Sequence, residues 1–186
     1  MASLRDSEQA LFIVGILASD RERAAMAAER LVECFGPAAL GGLVWPFDNT
    51  GYYLDELGPN PVRTFLAFPG LFDTGVLSGR KLLTNRLEIE LAAKAACGLP
   101  RPINLDPGYV TLAKLVLASA KNYSHRVHIG GRIYAEVTLQ YRQRRWRALP
   151  WTFPDYASGR YDGFLLDARN LLETEGKRLD RQAKER

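Results

Sequence analysis

Cysteine and histidine are scarce in this sequence of 186 residues, which contains two of each. Cys34 and Cys97 lie far apart and form no CxxC pair, and His125 and His128 would face opposite sides of a strand. A zinc site or a disulfide framework is therefore not indicated. We expect both cysteines to be small, buried residues in a reducing compartment, although one disulfide between them stays open.

Long apolar segments are also absent. The apolar run at residues 11–17 is too short to cross a membrane, and no cleavage site follows it. We therefore expect a buried strand there, a cytoplasmic location and no membrane partner.

The common catalytic signatures are missing as well. The sequence has no GxSxG, no HExxH, no Cys-His nucleophile pattern and no GxxxxGK[ST] phosphate loop. The segment after Leu17 is Ala-Ser-Asp, without the glycines and lysine that cradle phosphates. Whether the protein is an enzyme stays open.

Ordinary globular composition, with 47% hydrophobic and 25% charged residues, predicts one domain over residues 1–186 with frayed ends of about 10 and 8 residues. The patterns predict an α+β fold, in which helices pack on a mixed or mainly antiparallel sheet. Helices are expected at about 20–35, opened by a Ser19–Glu22 capping box, at 77–96 and at 159–177.

The functional hypothesis depends on the elements expected in the segment 104–149. We expect a turn at 104–109, a helix at about 111–121 with Lys114 and Lys121 on one face, and a hairpin at 125–141. Matching apolar faces favours a hairpin loop at 130–132, which places Arg126 opposite Glu136. A third strand is expected near 146–149.

Positive charge is concentrated in this region. The net charge is +4, and residues 121–150 contain seven basic residues and one acidic residue. Such a local excess attracts anions.

Several strings here resemble a known family. INLDPGYVTLAKLVLASAKNYSHRVHIGGRIYAEVTLQY and LPWTFPDY, with FIVGILASD, WPFDNTGYYLDELG and TNRLE, are similar to an uncharacterised bacterial family, the domain of unknown function 4416. The resemblance covers nearly the whole chain. Some members carry the loose name "GTP-binding protein", but this sequence lacks the phosphate loop that such a name requires. We therefore expect weak GTP affinity.

The leading hypothesis is binding of an anionic, phosphorylated small molecule or nucleotide, with a reaction on it left open. The expected ligand-binding residues are Asn104, Lys114, Lys121 and Arg126; the expected catalytic residues are Glu136 and His125; and Asp106 and Asp155 are expected to hold a metal, for which Mg²⁺ is suited. The alternative is a non-catalytic RNA-binding module that uses the basic turn 142–147, where arginines neutralise phosphates and neighbouring aromatic rings stack on bases.

Overall fold

A computed structural model describes residues 8–48 and 54–184. The strands are β1 (Leu11–Ala18), β2 (Val44–Pro46), β3 (Val62–Ala67), β4 (Ile103–Val110), β5 (Lys114–Ser119), β6 (Val127–Gly130), β7 (Ile133–Arg142) and β8 (Arg145–Ala148). The helices are α1 (Arg21–Phe35), α2 (Leu54–Leu57), α3 (Leu77–Ala95), α4 (Pro154–Ala157) and α5 (Asp162–Lys184), and a 3-10 turn spans Thr74–Val76.

These strands form one antiparallel sheet in the order β2-β3-β1-β4-β5-β7-β6, and β8 pairs with the far half of β7. Both faces of the sheet are covered in its centre. Phe12, Val14 and Ile16 of β1 pack with α1 and α3 on what we call the first face. Leu11 and Ile13 pack with α5 on the second face. The expected α+β class is confirmed.

Helix positions agree with the sequence pattern in most places, and their ends differ. The helix at 77–96 is present as α3, and α1 ends before Gly36 as expected. The cap of α1 is Asp20 rather than Ser19, because the Asp20 carboxylate accepts from the Arg23 amide at 2.9 Å. At the other end of the chain, α5 continues to Lys184, beyond the expected end at residue 177.

The expected turn at 104–109 and helix at 111–121 are wrong. Residues 103–110 form the central strand β4, and residues 114–119 form β5. Leu115 and Leu117 pack on the second face, whereas Val116 and Ala118 pack on the first. A strand buried on both faces is continuously apolar, so periodicity does not separate it from a buried helix.

Residues 103–107, before Gly108, do not pair with β5, and two side chains of α3 take the place of the missing strand there. Glu88 accepts from the Leu105 amide at 2.9 Å, and Lys81 donates to the Leu105 carbonyl at 2.6 Å. Pro107, which has no amide hydrogen, lies in this stretch of β4, which pairs with β1 on one side but not with β5 on the other. A proline is thus accommodated in the middle of the sheet without losing a ladder hydrogen bond.

The hairpin of β6 and β7 has the expected register in its body but a different tip. His128 lies opposite Tyr134 and Val127 opposite Ala135, which places Arg126 beside Glu136 as expected. The loop itself has two residues, Gly131 and Arg132, because the ladder shifts by one residue between His128 and Gly130. A bulge therefore gives the register that the sequence favoured, instead of a three-residue loop.

Two further predictions concern segments that are described only in part. The irregular segment expected after Pro46 includes residues 49–53, and the frayed ends include 1–7 and 185–186; all of these lie outside the described residues. Among the helices of the described residues, none is long and apolar enough to cross a bilayer.

Candidate functional site

An open cleft of about 810 Å³ lies where the segment before β6 meets the segment after β8. It is lined by Tyr123, Ser124, His125, Arg126, Pro150, Trp151 and Phe153. We call this the aromatic cleft. It lies on the second face, because Glu136 behind it is paired with Leu117, which packs in the core of that face.

Glu136 is a buried carboxylate behind the lining of the cleft, with 4% of its surface exposed. One of its oxygens, Oε2, accepts from Arg126 Nε at 2.7 Å and contacts His125 Nε2 at 2.9 Å. The antiparallel register makes this possible, since Arg126 and Glu136 are opposite each other on neighbouring strands. A buried charge of this kind needs a partner, and Arg126 supplies it.

The Arg126 guanidinium is held by more than Glu136. Its Nη1 donates to Ser119 Oγ and to the Lys121 carbonyl, each at 2.9 Å. These bonds and the one from Nε account for two of the three nitrogens. The third, Nη2, donates to no other group in the described part of the chain, so it can donate to a ligand in the cleft that Arg126 lines.

The aromatic side chains form the walls. The His125 ring stacks on Trp151 with centroids 5.2 Å apart and an angle of 7°, and Tyr123 tilts against the other side at 5.2 Å. Trp151 is fixed by its Nε1, which donates to the Val137 carbonyl at 2.9 Å. Tyr123 is 67% exposed and Phe153 is 41% exposed. Large rings left open to solvent around a cleft are suited to contact a planar ligand.

The structure brings together only part of the expected site. His125 and Arg126 line the aromatic cleft and share Glu136 behind it, and the Lys121 carbonyl accepts from Arg126. Lys114 does not join them, because β5 turns its side chain to the first face, where it pairs with Glu8 at 2.5 Å. The helix-face argument for Lys114 and Lys121 is therefore wrong, since these residues flank a strand.

Asn104, Asp106 and Asp155 lie in a second centre, a buried network around Arg63. Arg63 donates to Asp106 at 3.0 Å and to Asp155 at 3.3 Å, and Asn104 donates to Asp106 at 2.8 Å. The Arg63 guanidinium also lies 5.4–6.0 Å from three aromatic ring centres, those of Phe47, Phe65 and Tyr156. Asp106 and Asp155, the expected metal ligands, thus share a guanidinium as their counter-ion.

The same network continues into the gap between β4 and β5. Asn104 accepts from Arg101, which donates to Glu88 at 2.8 Å, and Glu88 pairs with Lys81 at 3.5 Å. Its charged members are three cations (Lys81, Arg101, Arg63) and three carboxylates (Glu88, Asp106, Asp155). Because the charges balance, the network needs no ligand to neutralise it.

Protonation in this network follows from burial and from Arg63. Burial alone would raise the pKa of Asp106, but the charges of Arg63 and Lys81 and the hydrogen bond from Asn104 lower it overall. Burial raises the pKa of Tyr156 well above its usual value, so its phenol stays neutral. Within the residues that the structure describes, no three His, Cys, Asp or Glu side chains are grouped to hold a metal ion. The Mg²⁺ assignment stays a prediction.

Sequence reasoning missed Arg63 and the walls of the cleft. Arg63 shares a face of β3 with the buried Phe65, and this alternation was the available signal that the arginine is buried. Tyr123, Trp151 and Phe153 lie in irregular segments. No periodicity could assign them to one surface, because their positions depend on the neighbouring strands.

The aromatic residues of the basic turn point away from it. Trp146 is 8% exposed and packs in the core of the second face, and the Tyr141 ring is covered by the Arg169 guanidinium at 4.3 Å. In this arrangement neither ring is open for stacking on a base, whereas the arginines of the turn are exposed.

These features define an α+β protein with one antiparallel sheet, a charge-balanced network in its core and an aromatic cleft at one end. Residues 8–171 match the model of a family described as Domain of unknown function (DUF4416), and the chain belongs to this family. No match was found among curated proteins or among solved structures. The family description carries no activity, so a function has to be argued from the sites.

Proposed function

We propose that the protein binds a small molecule with a planar ring and an anionic group, such as a nucleotide, in the aromatic cleft. The observation that supports this most is the combination of exposed rings with a fixed guanidinium. Tyr123, Trp151 and Phe153 offer apolar surfaces for a ring, and Arg126 offers one free nitrogen to an anion.

The buried Glu136 fixes the positions of two side chains that line the cleft. Because Glu136 holds both Arg126 and His125, the guanidinium and the imidazole ring are in place before a ligand arrives. Binding then costs little conformational entropy for these side chains. The aromatic cleft is favoured over the Arg63 network as the ligand site, since the network is buried and its charges are balanced.

Thermal unfolding with a ligand panel tests this proposal. The panel contains AMP, ATP, adenosine and inorganic phosphate, each with and without Mg²⁺. We expect a nucleotide to raise the unfolding midpoint more than phosphate or adenosine does. A ligand at a hundredfold its Kd stabilises the fold by about 2.7 kcal/mol. Trp151→Ala should remove this gain, because it deletes one wall of the cleft.

The matched control is Arg86→Gln, on the exposed side of α3 and far in the chain from the cleft. It should respond to the panel as the wild type does. A wild-type protein that no panel compound stabilises, or equal losses in Trp151→Ala and Arg86→Gln, would contradict the proposal. GTP with Mg²⁺ should bind weakly, and a Kd in the low micromolar range or tighter would contradict that expectation.

A further inference from the structure

A second surface, on the first face of the sheet, carries an excess of positive charge, although one of its members, Lys114, pairs with Glu8. Lys114, Gln140 and Arg147 form one row across β5, β7 and β8, and Arg142 and Arg145 form the next row. All of them point to the first face, because their neighbours Leu115, Leu139 and Trp146 pack on the second. We call these five residues the basic sheet face.

The three arginines of this surface, and Arg144 in the adjoining β7–β8 turn, lack acidic partners. In the described ranges 8–48 and 54–184, none of Arg142, Arg144, Arg145 and Arg147 forms an ion pair with a carboxylate. Arg147 donates only to the amide oxygen of Gln143, at 3.2 Å. The four arginines lie within six consecutive residues, so their charges repel one another until an anion binds.

The surface is open and shallow. A depression of about 730 Å³ is lined by Gln140, Arg142, Gln143, Arg147 and Ala148. The helices of the first face pack on β1 and on β3 to β7, whereas the main contacts of β8 are with β7 and α4. At this end of the sheet the side chains of Arg142, Arg145 and Arg147 are exposed. The far end of the sheet is thus left uncovered on the first face.

The turn that presents these arginines has an unfavourable backbone. Gln143 and Arg144 have φ angles of 52° and 61°, in the left-handed region that suits glycine and asparagine. Other residues in this conformation are strained, because their Cβ atom comes too close to the following carbonyl oxygen. Such strain is common where side chains have a function, and here the side chains are a glutamine and an arginine.

We propose that the basic sheet face binds the phosphodiester backbone of a nucleic acid. Guanidinium groups match phosphate oxygens bidentately, and the two glutamines can donate to phosphates or base edges. An acidic protein fits less well, because protein interfaces have an apolar core and Ala148 is the only apolar residue lining the described depression. The proposal is independent of the aromatic cleft, which lies on the opposite face.

The orientation of the aromatic rings decides the kind of recognition. Trp146 and Tyr141 face the core, so bases are not stacked and affinity comes from charge. We therefore expect little sequence preference and a strong dependence on salt. Single strands and duplexes should both bind, since the phosphodiester chemistry is shared.

Fluorescence anisotropy with the full chain tests the proposal. The probes are a labelled single-stranded RNA of 20 nucleotides and a DNA duplex of the same length, titrated at several salt concentrations. The variant Arg142→Gln/Arg145→Gln/Arg147→Gln should weaken binding of both probes at least tenfold. The slope of log K against log salt for the single strand should fall in magnitude by about 2, which is three contacts at about 0.7 each.

The matched control, Arg21→Gln/Arg86→Gln/Arg181→Gln, removes the same charge from exposed arginines outside this face. It should bind within about threefold of wild type. Equal losses in the two triple variants would show binding by net charge alone and would overturn the proposal. So would an absence of wild-type binding at 50 mM salt, or equally effective competition by polyglutamate at the same total charge, which would indicate an acidic protein partner.

Discussion

Arg63 is the residue on which the charged core depends. It is 4% exposed, lies between two carboxylates and contacts three aromatic rings. Burial disfavours a charged guanidinium, but the charges of Asp155 and Asp106 keep the pKa of Arg63 well above its usual value. A permanently charged arginine in the core makes each of its partners a determinant of stability.

Asp106→Asn should therefore destabilise the protein strongly. The substitution leaves Arg63 with one carboxylate in a buried site, and breaking a buried ion pair costs about 3–5 kcal/mol. Urea unfolding measures the difference. The control is Asp48→Asn, which removes a carboxylate from the exposed pair with Arg160 and should change stability little. Similar losses in both variants would refute the special role of the Arg63 network.

The same variant predicts a pH dependence. Because the folded pKa of Asp106 is lowered, its contribution to stability is complete above the unfolded value of about 3.9 and is lost as pH falls through the folded value. As the pH falls below about 5, the free energy of unfolding of the wild type should therefore decrease more than that of Asp106→Asn. Parallel curves for the two proteins would show that Asp106 does not contribute.

Gly108 illustrates a different constraint at the residue scale. A Cβ atom at this position would lie 2.2 Å from the Val116 carbonyl oxygen and 2.6 Å from a Leu117 methyl group. Gly108→Ala should destabilise the protein by roughly 1–3 kcal/mol, the usual range for overpacking, because backbone atoms must move. Gly79→Ala in α3, where a Cβ meets nothing within 4 Å, should instead stabilise it by roughly 0.5–1 kcal/mol. Thermal melts of the pair should shift in opposite directions.

At the scale of elements, the two hairpins of the second half differ in how their turns are built. The β6–β7 turn combines Gly131, which tolerates a positive φ, with one left-handed arginine, Arg132, whereas the β7–β8 turn has two left-handed residues and no glycine, Gln143 and Arg144. The second turn therefore stores conformational strain that a glycine would release.

Arg144→Gly should raise the stability of the protein by about 1 kcal/mol, because it removes the penalty of a left-handed arginine. Calorimetric or optical melting shows this as a higher Tm. The control is Arg142→Gly, two residues earlier in β7, where glycine only adds unfolded-state entropy and stability should fall. If Arg144→Gly also lowers the Tm, the turn is not strained in the way the backbone angles indicate.

For the whole molecule, one sheet with helices on both faces buries enough apolar surface to fold without covalent links. Cys34 and Cys97 are free thiols and are both half-buried. We expect a reducing agent to leave the Tm unchanged, and a thiol titration of the unfolded protein to give two thiols in its absence. A Tm that falls on reduction would indicate a disulfide that this fold does not contain.

The sequence by itself determined the α+β class, the position of α1 and α3, the hairpin pairing of Arg126 with Glu136, and the family. The fold class, the helices and the hairpin follow from local signals, which are helical spacing and alternation along short strands, and the family follows from the resemblance of its sequence strings. The ion pair at the cleft was predictable from such a local signal, because Arg126 and Glu136 are separated by a single turn of the chain.

Only the tertiary structure decided the nature of β4 and β5. Their apolar runs are compatible with a helix or with a strand covered on both faces, and the neighbours that cover them come from distant parts of the chain. The same physical reason explains Arg63, Lys114 and Trp151. Which face a side chain meets, and whether its charge is matched there, depends on strands and helices that are far away in sequence and is therefore set by packing.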